Sequence, residues 1–309
     1  MTINNLIEYY YHLSPDEIIK KEDVYFFSYL NKNFILKKNN IYNGDINDIY
    51  DLNKNINILM SSELVLNKDN NVITYYYNEP YILFEIKINY YKKITLEDIY
   101  SFDTPTITKK YKSIDMTNWE RLWEMKNDYI ESQIELLDKK YPIFCLVSNY
   151  YIGISENAIK LKKYINSINE FSNISIAHRR INCDDNLFEL YNPLNYVIDY
   201  RVRDICEFFK SLYFCQNDVN YLMIINYIKK YNLTYKEAML LFARLLYPSY
   251  YFDLCEKYIS GEIKEKNLIF SYIEISKKYE FELKKIYIFI EKFYNKKLPN
   301  IFWLLKKEA

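Results

Sequence analysis

Glycine is almost missing from this chain: three residues in 309, and none before Gly44. A loop whose backbone N–H groups close on phosphates is built from glycine, because only a residue without Cβ allows that approach. The amino-terminal region therefore lacks a glycine-rich phosphate loop. Histidine is also scarce, with His12 and His178 alone, and the five cysteines (Cys145, Cys183, Cys206, Cys215, Cys255) form no Cys-x-x-Cys pair. This argues against structural zinc and reads as reduced thiols of a cytosolic protein. No apolar run approaches the roughly 18 uncharged residues of a membrane span. Residues 239–252 are broken by Arg244 and Pro248, and the uncharged residues 141–155 are short and interrupted by Ser148 and Asn149. The opening MTINNLIEYYYHLSPDE has no basic segment ahead of an apolar one, so no signal peptide is expected. Basic and acidic residues number 41 each, which removes any general attraction to nucleic acid or anionic membrane.

What is present is apolar bulk. Half the residues are hydrophobic and 36 are tyrosine, enough for one large domain or two modest ones. The abundance of Tyr, Ile, Asn and Lys reads as the codon bias of an AT-rich genome. Residues 1–20 suggest a short helix, with Ser14-Pro15-Asp16-Glu17 as its N-cap and first turn. Residues 24–38 read as a hairpin broken at Asn31-Lys32-Asn33. Ile46, Ile49, Leu52 and Ile56 repeat at helical spacing. Strand runs follow at 64–66 and 72–77, with Lys68 to Asn71 as the turn, and NEPYILFEI (78–86) is a turn entering an apolar strand. Residues 87–115 are largely polar, with Pro105 as a breaker and room for a short helix. From Met116 the pattern is mainly helical. Trp119, Leu122, Trp123, Met125 and Tyr129 share a stripe, and Ser155 is a candidate cap for a second helix. The spans 204–215, 217–231, 234–247, 249–260, 262–278 and 280–296 are read as further helices.

The stretch 174–209 carries the chemistry. An apolar run ends in a histidine (Ile174, Ile176, His178). A second ends in an acid (Val197, Ile198, Asp199), and Arg203-Asp204 then opens a helical pattern. This order resembles the aminoglycoside phosphotransferase-like branch of the protein-kinase fold, with its catalytic loop HGDxxxxN, its metal-binding Asp and a structural Asp at a helix start. NEPYILFEI, NYYIGISENAI (149–159), AHRRIN (177–182), VIDYRVRDICEFFKSLY (197–213) and YPSYYFDLCEKYISG (247–261) resemble the spore coat-associated YutH-like group of that superfamily. The resemblance implies an α+β, protein-kinase-like two-lobe fold. A small mixed N-lobe would span 1–90, a hinge and linker 91–115, and a mainly helical C-lobe 116–309.

It also locates departures. Phosphoryl transfer needs a group to position the hydroxyl, a cation at the phosphates and oxygen ligands for magnesium. The base position falls on Arg180, which cannot take up a proton, leaving a degenerate loop of His178, Arg179 and Arg180. Counting from His178, the metal-binding Asn position falls on Asp185, and Asp199 holds the second metal position. Lys37 sits where the phosphate-binding lysine would be, with Asp48 or Asp51 as its acidic helix partner. Lys37, Glu85 and Asp199 thus mark a vestigial ATP cleft.

Each residue also has a structural reading. His178 is taken as a buried histidine hydrogen-bonded at a strand end, in preference to an acid–base group. Arg179 and Arg180 either bind a phosphate or pair with Asp184, Asp185 or Asp199; pairing is preferred. Asp199 is equally a metal ligand or the partner of Arg201 or Arg203. Asp204 reads as a helix cap or a clamp on the His178 loop. Lys37 has a bland alternative as a solvated edge-strand lysine, and Trp119 with Trp123 reads as core packing. The expectation is a degenerate kinase-like protein, a pseudokinase with a structural or interaction role and no cofactor. A protein partner in the spore coat or another assembly is expected, and no nucleic acid. It would be cytoplasmic, or spore-associated if the organism sporulates. The alternative is a small-molecule phosphotransferase that binds ATP and Mg2+ through Lys37, Asp185 and Asp199.

Overall fold

The computed structural model describes residues 3–21, 23–38, 46–55, 60–88, 90–102, 106–107, 111–215, 219–265 and 268–306; Gly44 and Pro105 lie outside them. In chain order the elements are α1 (Ile3–Tyr11), β1 (Ile18–Lys21), β2 (Val24–Tyr29), β3 (Lys32–Lys38), α2 (Ile46–Asn55), β4 (Glu63–Val65), β5 (Ile73–Tyr76), β6 (Glu79–Ile86), α3 (Leu96–Ser101), α4 (Trp119–Lys140), α5 (Ile143–Asn166), β7 (Ile174–His178), α6 (Leu187–Leu190), β8 (Tyr196–Tyr200), α7 (Arg203–Cys215), α8 (Leu222–Lys230), α9 (Tyr235–Leu246), α10 (Ser249–Ile259), α11 (Leu268–Tyr294) and α12 (Phe302–Leu305). They form two compact units, each discontinuous in sequence. The first takes Met1–Ile94, Ile107–Asp115 and Asp184–Ile198; the second takes Thr95–Thr106, Met116–Cys183 and Asp199–Ala309.

The first unit is built on an antiparallel sheet in the order β1-β2-β3-β6-β4, with β5 pairing the start of β6. β3 and β6 are its centre. Phe34–Leu36 and Tyr81–Phe84 are buried on both faces, as strands covered from two sides must be. One face, bearing Phe27, Phe34, Leu36, Tyr81 and Leu83, packs on Leu6, Ile7 and Tyr11 of α1. Two hairpins turn through two residues with positive φ, Leu30-Asn31 (48° and 62°) and Tyr77-Asn78 (51° and 63°). The right-handed twist of the strands favours such turns, and glycine normally supplies them. Here asparagine takes the second position, the residue that best tolerates this region after glycine.

The expected helix cap at Ser14-Pro15 is corrected. The helix precedes it, and Ile18–Lys21 is an edge strand paired with β2. The short apolar Ile18-Ile19 run is too brief to show its period, and only its distant partner decides its state.

The second unit is helical. α9 is buried nearly all round, from Ala238 to Leu246, as a helix at the centre of a bundle must be. It packs on α5, α7 and α11, and α4 lies along α5. A capping box of Thr95 and Asp98 starts α3, and one of Thr234 and Glu237 starts α9. Ser155 is not a cap: α5 begins at Ile143 and carries Ser155 buried in its interior, bonded to Asn127 at 2.6 Å. The helices expected over 262–278 and 280–296 are one, α11, and the span expected from 217 begins at Leu222. Among the described residues no helix is long and apolar enough to cross a membrane.

Leu30 is 78% exposed and strained at φ 48°, so Leu30→Gly sacrifices no packing. It should raise the chemical denaturation midpoint by the equivalent of about 0.5–1 kcal/mol. A lowered midpoint would show that the turn is not where the strain lies.

Candidate functional site

β7 delivers His178 to the start of the degenerate loop, where the first turn of α7 takes hold of it. Asp204 Oδ1 accepts the His178 backbone N–H at 2.9 Å, and its Oδ2 accepts from Nδ1 at 2.7 Å. A carboxylate only accepts, so Nδ1 carries the proton. His178 is fully buried, with the Phe102 ring 4.7 Å away. Arg203 grips the next backbone atoms. Its Nε donates to the His178 carbonyl at 2.8 Å and its Nη2 to the Arg179 carbonyl at 3.0 Å. These adjacent side chains fix both the ring and the backbone at the head of the loop.

The third arm of Arg203 reaches Asp199. Nη1 lies 2.6 Å from Oδ2, which also accepts from Trp119 Nε1 at 2.9 Å, while Oδ1 accepts from Tyr200 N at 2.7 Å. Asp199 is fully buried. Burial pushes its carboxyl pKa up, and the Arg203 and Arg244 charges pull it back without cancelling that rise. The expected pairing of Arg180 with Asp199 is corrected. Arg203 sits four residues along, at the helix start, and reaches first; Arg180 is exposed and lies 3.9 Å from Asp253. A magnesium ion needs anionic oxygens open to it at about 2.1 Å. Both Asp199 oxygens are engaged by donors and buried, so as arranged they suit a guanidinium and not that ion.

A buried charge cluster lies beyond the Trp119 ring, whose centroid is 5.0 Å from the Arg244 guanidinium carbon. Arg244 Nε donates to Glu207 at 2.6 Å, and Lys210 lies 2.9 Å from the same carboxylate oxygen. Lys210 also donates to Ser249 Oγ at 2.6 Å. Burial alone would push the Glu207 carboxyl up, but the Lys210 and Arg244 charges outweigh it and hold it far below the usual carboxylate range. Burial pushes the Lys210 ammonium down. Arg201, the other partner considered for Asp199, pairs with the capping-box acid Glu237 at 3.0 Å.

In the first unit, Lys37 stands on β3 and pairs with Glu189 of α6 at 3.2 Å. The expected partners Asp48 and Asp51 on α2 are corrected; Asp48 accepts instead from Ser113 N and Oγ. Glu189 is fixed from its other side by Asn192 Nδ2 at 3.0 Å. Lys37, Phe84, Glu189 and Asn192 border a cavity of about 180 Å³. β3 is interior to the sheet, so Lys37 is not an edge-strand lysine. Glu85 does not share its face. Lys37 stands opposite Ile82 and Glu85 opposite Phe34, which alternation places on opposite sides of the sheet; Glu85 pairs with Lys32 at 2.8 Å. Asp185 belongs to the first unit and Asp199 to the second. The Asp185 carbonyl accepts from Ile94 N at 3.1 Å.

Sequence reasoning missed Glu189 and the Glu207–Lys210–Arg244 cluster. Arg244 inside the apolar run MLLFARLLYP was the available signal, since a charge there must find a buried partner. Glu189 gave none, because its partner is 152 positions away.

Residues 4–286 match the family described as "Spore coat putative kinase YutH". The chain is similar to the endospore coat-associated protein YutH of Bacillus subtilis (strain 168), 25% identical over 173 residues, a stretch covering 48% of each protein; it spans about half the length of that curated relative. Among solved structures it is similar to an aminoglycoside phosphotransferase from Alicyclobacillus acidocaldarius, with a TM-score of 0.62 at 9% identity, covering 90% of this chain and 93% of that one. It is also similar to a microcompartment-associated aminopropanol kinase, with a TM-score of 0.51 at 10% identity, covering 94% and 97%. At such identities the likeness shows the fold, a kinase-like N-lobe sheet with a helical C-lobe.

Removing one partner of a buried ion pair leaves the other charge stranded. Arg203→Met should therefore cost on the order of 3–5 kcal/mol of unfolding free energy, and Arg180→Ala, at an exposed site, less than about 1 kcal/mol. Equal losses in urea denaturation would contradict the assignment of Arg203 as the clamp. Acid should weaken the second cluster. Glu207 has its folded pKa depressed below the ordinary 4.5, so its contribution is complete above that value and fades as pH falls. Asp199, raised, acts in the opposite sense: protonation there favours the folded state as pH falls. Between about pH 5 and pH 3 the loss of stability should be shallower in Glu207→Gln than in the wild type; parallel slopes would exclude Glu207 as its source.

Proposed function

The chain belongs to the spore-coat YutH family, and we propose that it is a non-catalytic, kinase-fold component of the spore coat that works by binding another coat protein. The observation that carries this reading is the Arg203 guanidinium on Asp199 at 2.6 Å. The acid that would hold a metal in a working relative has an internal cation as its counter-charge. Three further features agree with it. Arg180 occupies the base position, where a proton acceptor of suitable pKa is needed. Lys37 is engaged by Glu189. The hairpin between β1 and β2, which a glycine-rich loop forms in protein kinases, has no glycine. Half-buried Lys37, on β3 beside its cavity, favours a second reading, a small-molecule phosphotransferase that uses ATP and Mg2+ through Lys37, Asp185 and Asp199.

Calorimetry with and without ATP and Mg2+ separates the two. A nucleotide at a hundredfold excess over its dissociation constant would add about 2.7 kcal/mol; no change in Tm is expected. A fluorescent fusion in a sporulating host should reach the spore surface equally as wild type and as Lys37→Met. Phosphate transfer to an aminoglycoside or choline-like alcohol at about one turnover per second, abolished by Asp199→Asn, would replace the structural reading with the enzymatic one.

A further inference from the structure

The far end of the degenerate loop meets the far end of α7. Cys183 lies five residues beyond His178, and Cys215 is the last residue of α7. Their Sγ atoms lie within 4.8 Å of one another. A separate contact fixes the same juxtaposition: Cys183 N donates to Ser211 Oγ at 2.9 Å. Ser211 is one helical turn before Cys215 and so on the same face. Cys183 is buried and Cys215 is exposed, so one thiol is open to a reagent and the other is held behind it. Cys206 and Cys255 are fully buried.

We propose that Cys183 and Cys215 form a disulfide when the chain meets a thiol oxidant of the glutathione disulfide class. The Cys215 thiolate attacks one sulfur of the oxidant, forming a mixed disulfide and releasing one glutathione thiolate. Cys183 sulfur then attacks Cys215 sulfur, the protein disulfide forms, and the second glutathione thiolate leaves. Two electrons pass from the protein thiols to the oxidant, and their two protons go to the departing thiolates. Bridging requires the sulfurs to close to about 2.05 Å. A metal is the weaker use of the pair. A closed structural zinc site takes four ligands, and among the described residues the two thiols gather one further ligand, Asp184, next in sequence. The bridge ties down the end of a loop whose head Arg203 and Asp204 already hold, so residues 178–183 become fastened at both ends to one helix.

The full chain, purified under reducing conditions, is exposed to glutathione disulfide and mapped by peptide mass spectrometry without reduction. The expected result is the loss of two hydrogens, a peptide linking Cys183 to Cys215, and a rise in Tm on the order of 5 °C that dithiothreitol reverses. Cys183→Ser and Cys215→Ser should show neither the link nor the rise. If Cys183→Ser does not fold, Cys215→Ser, at the exposed position, carries the control. The proposal is overturned by a glutathione adduct on Cys215 that persists in the wild type, by a bridge from either residue to another cysteine, or by zinc retained on the pair in a native mass spectrum.

Discussion

Arg203 answers three acceptors at once: the carbonyls of His178 and Arg179 and the carboxylate of Asp199. Each is buried or partly so, and a guanidinium offers the planar, multiply directed donors that such a set requires. Asp204, its neighbour, completes the hold through the His178 ring and N–H. The strand that ends at His178, the acid one residue before the end of β8 and the helix that follows are thereby joined by one dipeptide. Asp199 and Asp204 are both engaged by these bonds.

The same economy extends through the helical unit. Trp119 donates to Asp199 and lies under Arg244, Arg244 holds Glu207, and Glu207 holds Lys210. Stacked rings continue from Trp119 to Trp123 and on to Tyr247, with centroids 5.4 Å and 4.5 Å apart. Buried ion pairs of this kind add little net stability over a well-packed apolar core, but they are costly to break singly.

Much of this was legible in the sequence. The periods of β2, β3, β6 and α2 were plain, and the order His178, Asp199, Asp204 pointed to the fold and to the clamp by Asp204. What failed had a common physical cause. Ser155 reads as a helix cap, yet it lies inside α5. Ser148 and Ser276 likewise sit inside helices. Each bonds back to the carbonyl four residues earlier (Phe144 and Tyr272) and meets a tyrosine hydroxyl from another helix, Tyr251 and Tyr151 respectively. The local bond satisfies the hydroxyl without ending the helix, and the tyrosine that makes the burial tolerable is remote in sequence. The partners of Arg180 and Lys37 failed for the same reason. Composition shows that acids are near; only the folded chain shows which one arrives.

The first unit draws its last segment, Asp184–Ile198, from beyond the middle of the chain. Lys37 waits 152 residues for Glu189, and Ser61 waits 135 for the Tyr196 hydroxyl that it meets at 3.1 Å. At ribosomal speeds of about 5–20 residues per second, the first of those gaps lasts ~8–30 s. From Ile86 onward within that interval the strands of the sheet are all made, while the segment that neutralises Lys37 and packs Phe188 against Phe84 does not yet exist. The nascent sheet therefore stands on α1 and its own hydrogen bonds for far longer than a hairpin takes to form, and the order of synthesis sets when this unit can become native.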